Sequence, residues 1–170
     1  MDDRIIMILL RLIHILAGAF WVGAAFIMAR FLLPAVRATG REGGQFMQHV
    51  MQKGRLPVFL GVAMLLTVLS GFTLYARDAA GTQGMWASSA PGIGYGIGGL
   101  AAVLAALVGF FVSGSAARRM AALGARAQGS PSAELLAEIG RLQARMGVGT
   151  RIAAGLLAIA TAAMAIARYL

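Results

Sequence analysis

The chain has 170 residues, of which 59% are hydrophobic and 12% charged, with 15 basic residues, 6 acidic ones and no cysteine. Soluble domains average about 45–50% apolar and about 25% charged residues, so this chain cannot cover a water-facing surface and reads as a single integral membrane domain over 1–170. The absence of cysteine excludes disulfides, thiolate-held iron–sulfur clusters, cysteine zinc sites and thiol nucleophiles.

A hydrocarbon core of about 30 Å takes roughly 20 helical residues to cross. Four stretches meet that length, approximately 5–29, 56–75, 93–112 and 152–167. The first is too long for a signal peptide, begins with Asp2 and Asp3, and carries charge within it. The expected fold is therefore all-α, a four-helix transmembrane bundle.

The first connection carries Arg37, Arg41, Lys53 and Arg55, with Arg30 at its edge, against the single acid Glu42. Within it, 43–54 reads as an amphipathic helix, with Phe46, Met47, Val50 and Met51 on one stripe and Gln45, Gln48, His49 and Gln52 on the polar side. The second long connection holds Arg118, Arg119, Arg126, Arg141, Arg145 and Arg151 against Glu134 and Glu138. Its 131–146 segment reads as another amphipathic helix, capped by Ser130 and Pro131, with Leu135, Leu136, Ile139 and Leu142 at helical spacing. Gly147 and Gly149 are expected to bend it on the way to the fourth span.

Only Arg4, Arg77 and Arg168 lie at the other ends of the spans. The positive-inside rule then puts both basic connections in the cytoplasm and both termini outside, as expected of a multi-pass inner-membrane protein. The positive charge is thus assigned to orientation and to contact with anionic lipid headgroups, not to nucleic acid. Gln48, Met51 and Gly54 match Gln143, Met146 and Gly149 at a constant offset, a faint repeat that implies two hairpins of the same orientation. Trp86, Tyr75, Tyr95 and Tyr169 suit an outer aromatic belt. The glycines from Gly92 to Gly99 read as close packing of the third span, since no Lys-Ser or Lys-Thr follows to make a phosphate loop.

One helix face carries the functional question. Arg11, His14, Gly18 and Trp21 share a face of the first span, and ionisable residues at membrane depth face the protein interior by default. His14 is open to four readings: heme axial ligand, metal ligand, proton carrier, or a hydrogen-bonding side chain between helices. Arg11 either pairs with an anionic group such as a heme propionate or snorkels to the headgroups. Trp21 either packs or flanks a planar ligand, and Gly18 lets a neighbour approach. Gly23 and Ala24 form a second strip for close approach. His49 stands at the basic surface, apart from His14. No carboxylate lies in a span, and Ser70, Ser113 and Ser115 show no base partner, so no catalytic constellation is read.

The run from Arg11 to Gly23, with Trp21 after His14 and Gly23 close behind, resembles the opening of a group of small bacterial membrane proteins. These are the uncharacterised DUF2269 family, the CopD-type copper-resistance domain and the HemJ-type protoporphyrinogen oxidases. Ser70-Gly71 near the end of the second span and the closing Met164 to Leu170 extend the likeness to the DUF2269 layout. The resemblance implies that His14 matches the histidine implicated in heme b binding in HemJ-type proteins and the first-helix histidine of CopD-like ones. The only lysine, Lys53, lies outside the spans, so the oxidase activity does not carry over. A methionine-rich or histidine-rich outer loop is also missing, which leaves copper or small-solute transport a distant third. The two readings ahead of it are a heme-binding or redox-associated protein, its second ligand a methionine or a histidine of a partner or second copy, and a non-catalytic accessory subunit of a larger membrane complex.

Overall fold

The structure, a computed structural model, describes residues 2–126 and 132–170. Seven α-helices hold most of them: α1 Asp3–Ile27, α2 Leu33–Ala38, α3 Gly40–Gln52, α4 Leu56–Ala80, α5 Ala90–Val108, α6 Ser115–Arg126 and α7 Ala133–Ala167. A π-helical turn at Met28–Leu32 joins α1 to α2, and a second at Gly109–Gly114 joins α5 to α6. The first is explained by Pro34, which has no N–H to give the Arg30 carbonyl and whose ring crowds it. The helix widens there, and Leu33 N–H bonds to the Met28 carbonyl instead.

Four helical stretches are long and apolar enough to cross a membrane, with 36, 25, 34 and 35 residues. At 1.5 Å per residue the longest is roughly 54 Å, so it projects well beyond a core of about 30 Å. The expected spans 5–29, 56–75, 93–112 and 152–167 each lie inside one of these stretches, and the helices run on beyond them. Apolar length marks what the bilayer requires, whereas a helix continues until a turn residue stops it, and nothing between Ala133 and Ala167 does so. The 131–146 helix and the fourth span are accordingly one unbroken α7, and Gly147 and Gly149 do not interrupt it. Ser130 and Pro131, the expected cap, lie outside the described residues; the described helix opens with the Ser132 hydroxyl accepting from Leu135 N–H.

α1 packs chiefly against α4, and α5 against α7, which makes two antiparallel hairpins. α1 and α5 both run from the end holding the termini toward the basic end, so the hairpins share one orientation. Their interiors differ from soluble cores in being built from small side chains. Ala63, Ala101, Ala102, Ala105, Ala153 and Ala160 surround Trp21 and Leu157 at the centre. A second cluster at the basic end combines Met28, Leu33, Met47, Ala116, Leu142 and Met146. The apolar stripe of α3 is thereby placed against the bundle through Met47, with Val50 and Met51 half-buried, but Phe46 faces outward. Large apolar side chains lie mainly on the outside, as with Phe72 at 74% exposed.

At the opposite end Tyr75 meets Trp86 edge to face, centroids 5.2 Å apart, and Tyr95 stacks on Trp86 at 6.0 Å. The turn beneath them uses Gln83 and Gly84 at positive φ, and Ser89 caps α5 by accepting from Gly92 N–H. Tyr169 stands apart from this group, exposed beneath the Arg168 guanidinium. Arg77 pairs with Asp3 at 3.0 Å across the start of α1 and the end of α4, with Asp3 largely exposed. Such a pair contributes about 0–1 kcal/mol and guides more than it holds.

The α5–α7 seam depends on glycine. A Cβ on Gly98 would stand 2.7 Å from Met164 Cγ and 3.1 Å from the Ala160 carbonyl, while one on Gly99 would meet nothing within 4 Å. Gly98→Leu is therefore expected to cost about 1–3 kcal/mol through overpacking, and Gly99→Leu to be tolerated. Thermal unfolding of the two variants in detergent, compared side by side, checks this pair of outcomes.

Candidate functional site

The face of α1 singled out in the sequence meets α4 along a strip of small and hydroxyl residues. Ala63, Thr67 and Ser70 are buried there, with Gly71 beside Ser70. Burial declines along α1 from Trp21, at 8% exposed, through half-buried Gly18 and His14 to exposed Arg11. Each position has a distinct role. Trp21 fills the centre of the bundle among alanines and Leu157, some two turns from His14. Gly18 admits Thr67, whose methyl would lie 3.4 Å from a Cβ at that position. Gly23 meets nothing within 4 Å, so the expected close-approach strip at Gly23 and Ala24 is not used at that glycine within this chain.

His14 is held by two groups of α4. Its Nδ1 lies 2.8 Å from the Thr67 carbonyl and 3.3 Å from Ser70 Oγ. A carbonyl oxygen can only accept, so Nδ1 carries a proton, and of the two neutral tautomers the contact selects the one with its lone pair on Nε2. The Ser70 hydroxyl donates to the Leu66 carbonyl, which leaves its oxygen to accept a second share of the Nδ1 proton. Ser70, read from sequence as lacking a partner, is thus part of the imidazole's cradle. Ser113 likewise lies 3.4 Å from the Thr150 hydroxyl, between the two halves of the second hairpin.

The ring can reach the Thr67 carbonyl only because Gly71 has no side chain. A Cβ there would stand 2.6 Å from His14 Cε1 and 3.0 Å from Nδ1. Among the described residues no buried side-chain nitrogen or oxygen lacks a hydrogen-bond partner. Among the described residues Nε2 has no hydrogen-bond partner, and it is not fully buried.

Arg11 is one turn further along the same face, exposed, with no carboxylate at ion-pair distance among the described residues. His49 is exposed on α3 at the basic end, away from His14. Among the described residues no three histidine, cysteine or acidic side chains converge as a metal site. Two open cavities are both at the basic end, one of about 300 Å³ between α2 and α3, the other of about 450 Å³ between α6 and α7.

Sequence reasoning named the α1 half of this site and missed the α4 half. The missing signal was there: Ala63, Thr67, Ser70 and Gly71 recur at helical spacing as the small and polar strip of an otherwise bulky span.

The fold and its apolar exterior define a multi-pass helical membrane protein. No family model matches the chain, and neither a curated protein nor a solved structure does.

Because the Thr67 carbonyl dictates the tautomer, nitrogen NMR of histidine-labelled protein should show His14 as the Nδ1–H form, assigned by its loss in His14→Gln. Gly71→Ala should displace the ring and alter that signal. An Nε2–H signal in the unaltered protein would contradict the cradle.

Proposed function

We propose that the chain is a heme b-binding, redox-associated membrane protein in which His14 Nε2 is one axial ligand. The observation that carries this reading is the half-buried imidazole held through Nδ1–H to a backbone carbonyl, its Nε2 without a hydrogen-bond partner among the described residues. A histidine ligand needs that arrangement, since the bond at the far nitrogen sets ring orientation and raises basicity at the ligating one. The donor set fits one side of a heme: His14 as ligand, and exposed Arg11 one turn away as counter-charge to a propionate. Gly18 and Trp21 support that face from within. A second ligand would be a methionine, a partner chain's histidine, or a second copy's His14. A bound heme supplies one-electron exchange; this chain's part is to orient the imidazole, hold the Nδ1 proton and offer the guanidinium.

A second reading, a non-catalytic accessory subunit in a larger membrane complex, draws on two observations. The His14–Thr67 bond joins α1 to α4 with no ligand, and Gly23, Gly61 and Gly99 leave open space for a neighbouring helix. Copper or small-solute transport has less support, because a single imidazole and a single guanidinium make a thin path.

The orientation belongs to the same proposal: the basic ends of the long helices and α3 face the cytoplasm beside anionic headgroups of the inner membrane, and the termini face out.

A reduced-minus-oxidised absorption spectrum of heme-supplemented protein should show a b-type signal that falls at least ten-fold in His14→Ala. No signal in the unaltered protein, or an unchanged one in the variant, overturns heme ligation. The accessory reading expects stoichiometric partners after mild-detergent purification, and a stable lone monomer counts against it. Reporter fusions after Lys53 and after Gln83 should report inside and outside respectively; the reverse pattern refutes the orientation.

A further inference from the structure

The cavity of about 450 Å³ between α6 and α7 is lined by Arg119, Glu138, Arg141, Leu142 and Arg145. Its volume lies within the range of small-molecule sites, about 300–1,000 Å³. Three guanidiniums and one carboxylate leave it with an excess of positive charge. Arg119 is tied to Glu138 at 2.7 Å. Among the described residues no carboxylate lies at ion-pair distance from Arg141 or Arg145, one turn apart on α7. Like charges at that spacing repel, and an anion between them would relieve the repulsion. Guanidiniums converging from two helices also match the oxygens of a phosphate better than ammonium groups do.

The depth of the cavity says which phosphate. Phe110 and Phe111, in the π-turn below α6, are more than half exposed and belong to the lipid-facing surface. Arg119 follows Phe110 by nine residues, roughly 13 Å along the helix axis. Arg118 reaches back over the Phe110 ring, 5.3 Å from its centroid. Guanidinium and lipid-facing apolar surface therefore adjoin at this end of the bundle. Leu142 forms the cavity's apolar side and belongs to the basic-end core.

We propose that this groove binds the phosphate of an anionic phospholipid, its oxygens between Arg141 and Arg145 and its acyl chains running down beside Phe110 and Phe111. Glu138 is a competitor for Arg119: while paired, it withholds that guanidinium from the lipid. The site does not depend on His14 or on the orientation of the bundle.

The test uses full-length protein in neutral detergent, titrated with short-chain phosphatidylglycerol, short-chain phosphatidylcholine and inorganic phosphate, with thermal stabilisation as the readout. Phosphatidylglycerol should bind saturably and at least ten-fold more tightly than either other probe. Arg141→Gln with Arg145→Gln should abolish that preference, while Arg41→Gln with Lys53→Gln, an equal charge change at the same end, should alter it less than two-fold. Glu138→Gln should tighten binding about three-fold, a direction that a loss of structure cannot produce. Equal binding of phosphatidylcholine, equal weakening by both double variants, or inorganic phosphate binding as tightly as the lipid each overturns the proposal. Weaker binding in Glu138→Gln does so too.

Discussion

Two helices in hydrocarbon gain little by burying leucine against leucine, because lipid tails offer the same contact; what holds them is how closely their backbones approach. Everything in this bundle follows from that constraint. Ala105 and Ala160 are buried where α5 and α7 touch, Gly94 and Gly98 stand against Ala167 and Met164, and Gly149 stands against Val112 and Ser113. At the basic end Gly147 makes room for Arg37, whose guanidinium donates to the Gln143 carbonyl at 2.9 Å and ties α2 to α7. Bulk is confined to the lipid side and to a few central positions such as Trp21 and Leu157.

The same constraint explains why His14 stands out. The threonines in the spans find acceptors in their own helix: Thr67 donates to the Ala63 carbonyl, Thr73 to Leu69, Thr150 to Met146 and Thr161 to Leu157. An imidazole cannot fold back in this way, and an unpaired N–H in hydrocarbon costs several kcal/mol. It must cross to a neighbouring helix. The missing side chain at Gly71 makes the crossing possible, and the Thr67 carbonyl is already in a helical ladder, so it accepts an additional bond without breaking the first. One nitrogen is thereby settled, and the other has no hydrogen-bond partner among the described residues.

The basic end answers to a different solvent. There the helices outrun the apolar layer, methionines replace alanines in the core, and the π-turns at Met28–Leu32 and Gly109–Gly114 mark where each long helix enters its charged segment. The two hairpins reach this end differently. In the first, the chain turns at Lys53–Arg55, with Arg55 at φ 50°, so α3 and α4 are separate. In the second, the equivalent amphipathic and apolar segments are one helix. The faint repeat of Gln48, Met51 and Gly54 with Gln143, Met146 and Gly149 therefore relates segments of similar pattern in different backbone settings.

By itself the sequence determined the all-α class, the number of helices long and apolar enough to cross a membrane, and the histidine within them most in need of a partner. Those depend on composition and on a 3.6-residue period, both of which are local. The helix ends were only approximate, since hydropathy records the extent of apolar surface and not the residue that stops a helix. Pairings between distant positions required the tertiary structure: His14 with Thr67, Ser70 and Gly71, Trp21 among alanines of three other helices, and Arg119 with Glu138 beside Arg141 and Arg145. A glycine in a sequence signals only a missing side chain. Whether that absence admits an imidazole, as at Gly71, or leaves open space, as at Gly23, depends on which helix lies opposite, and that is decided by packing.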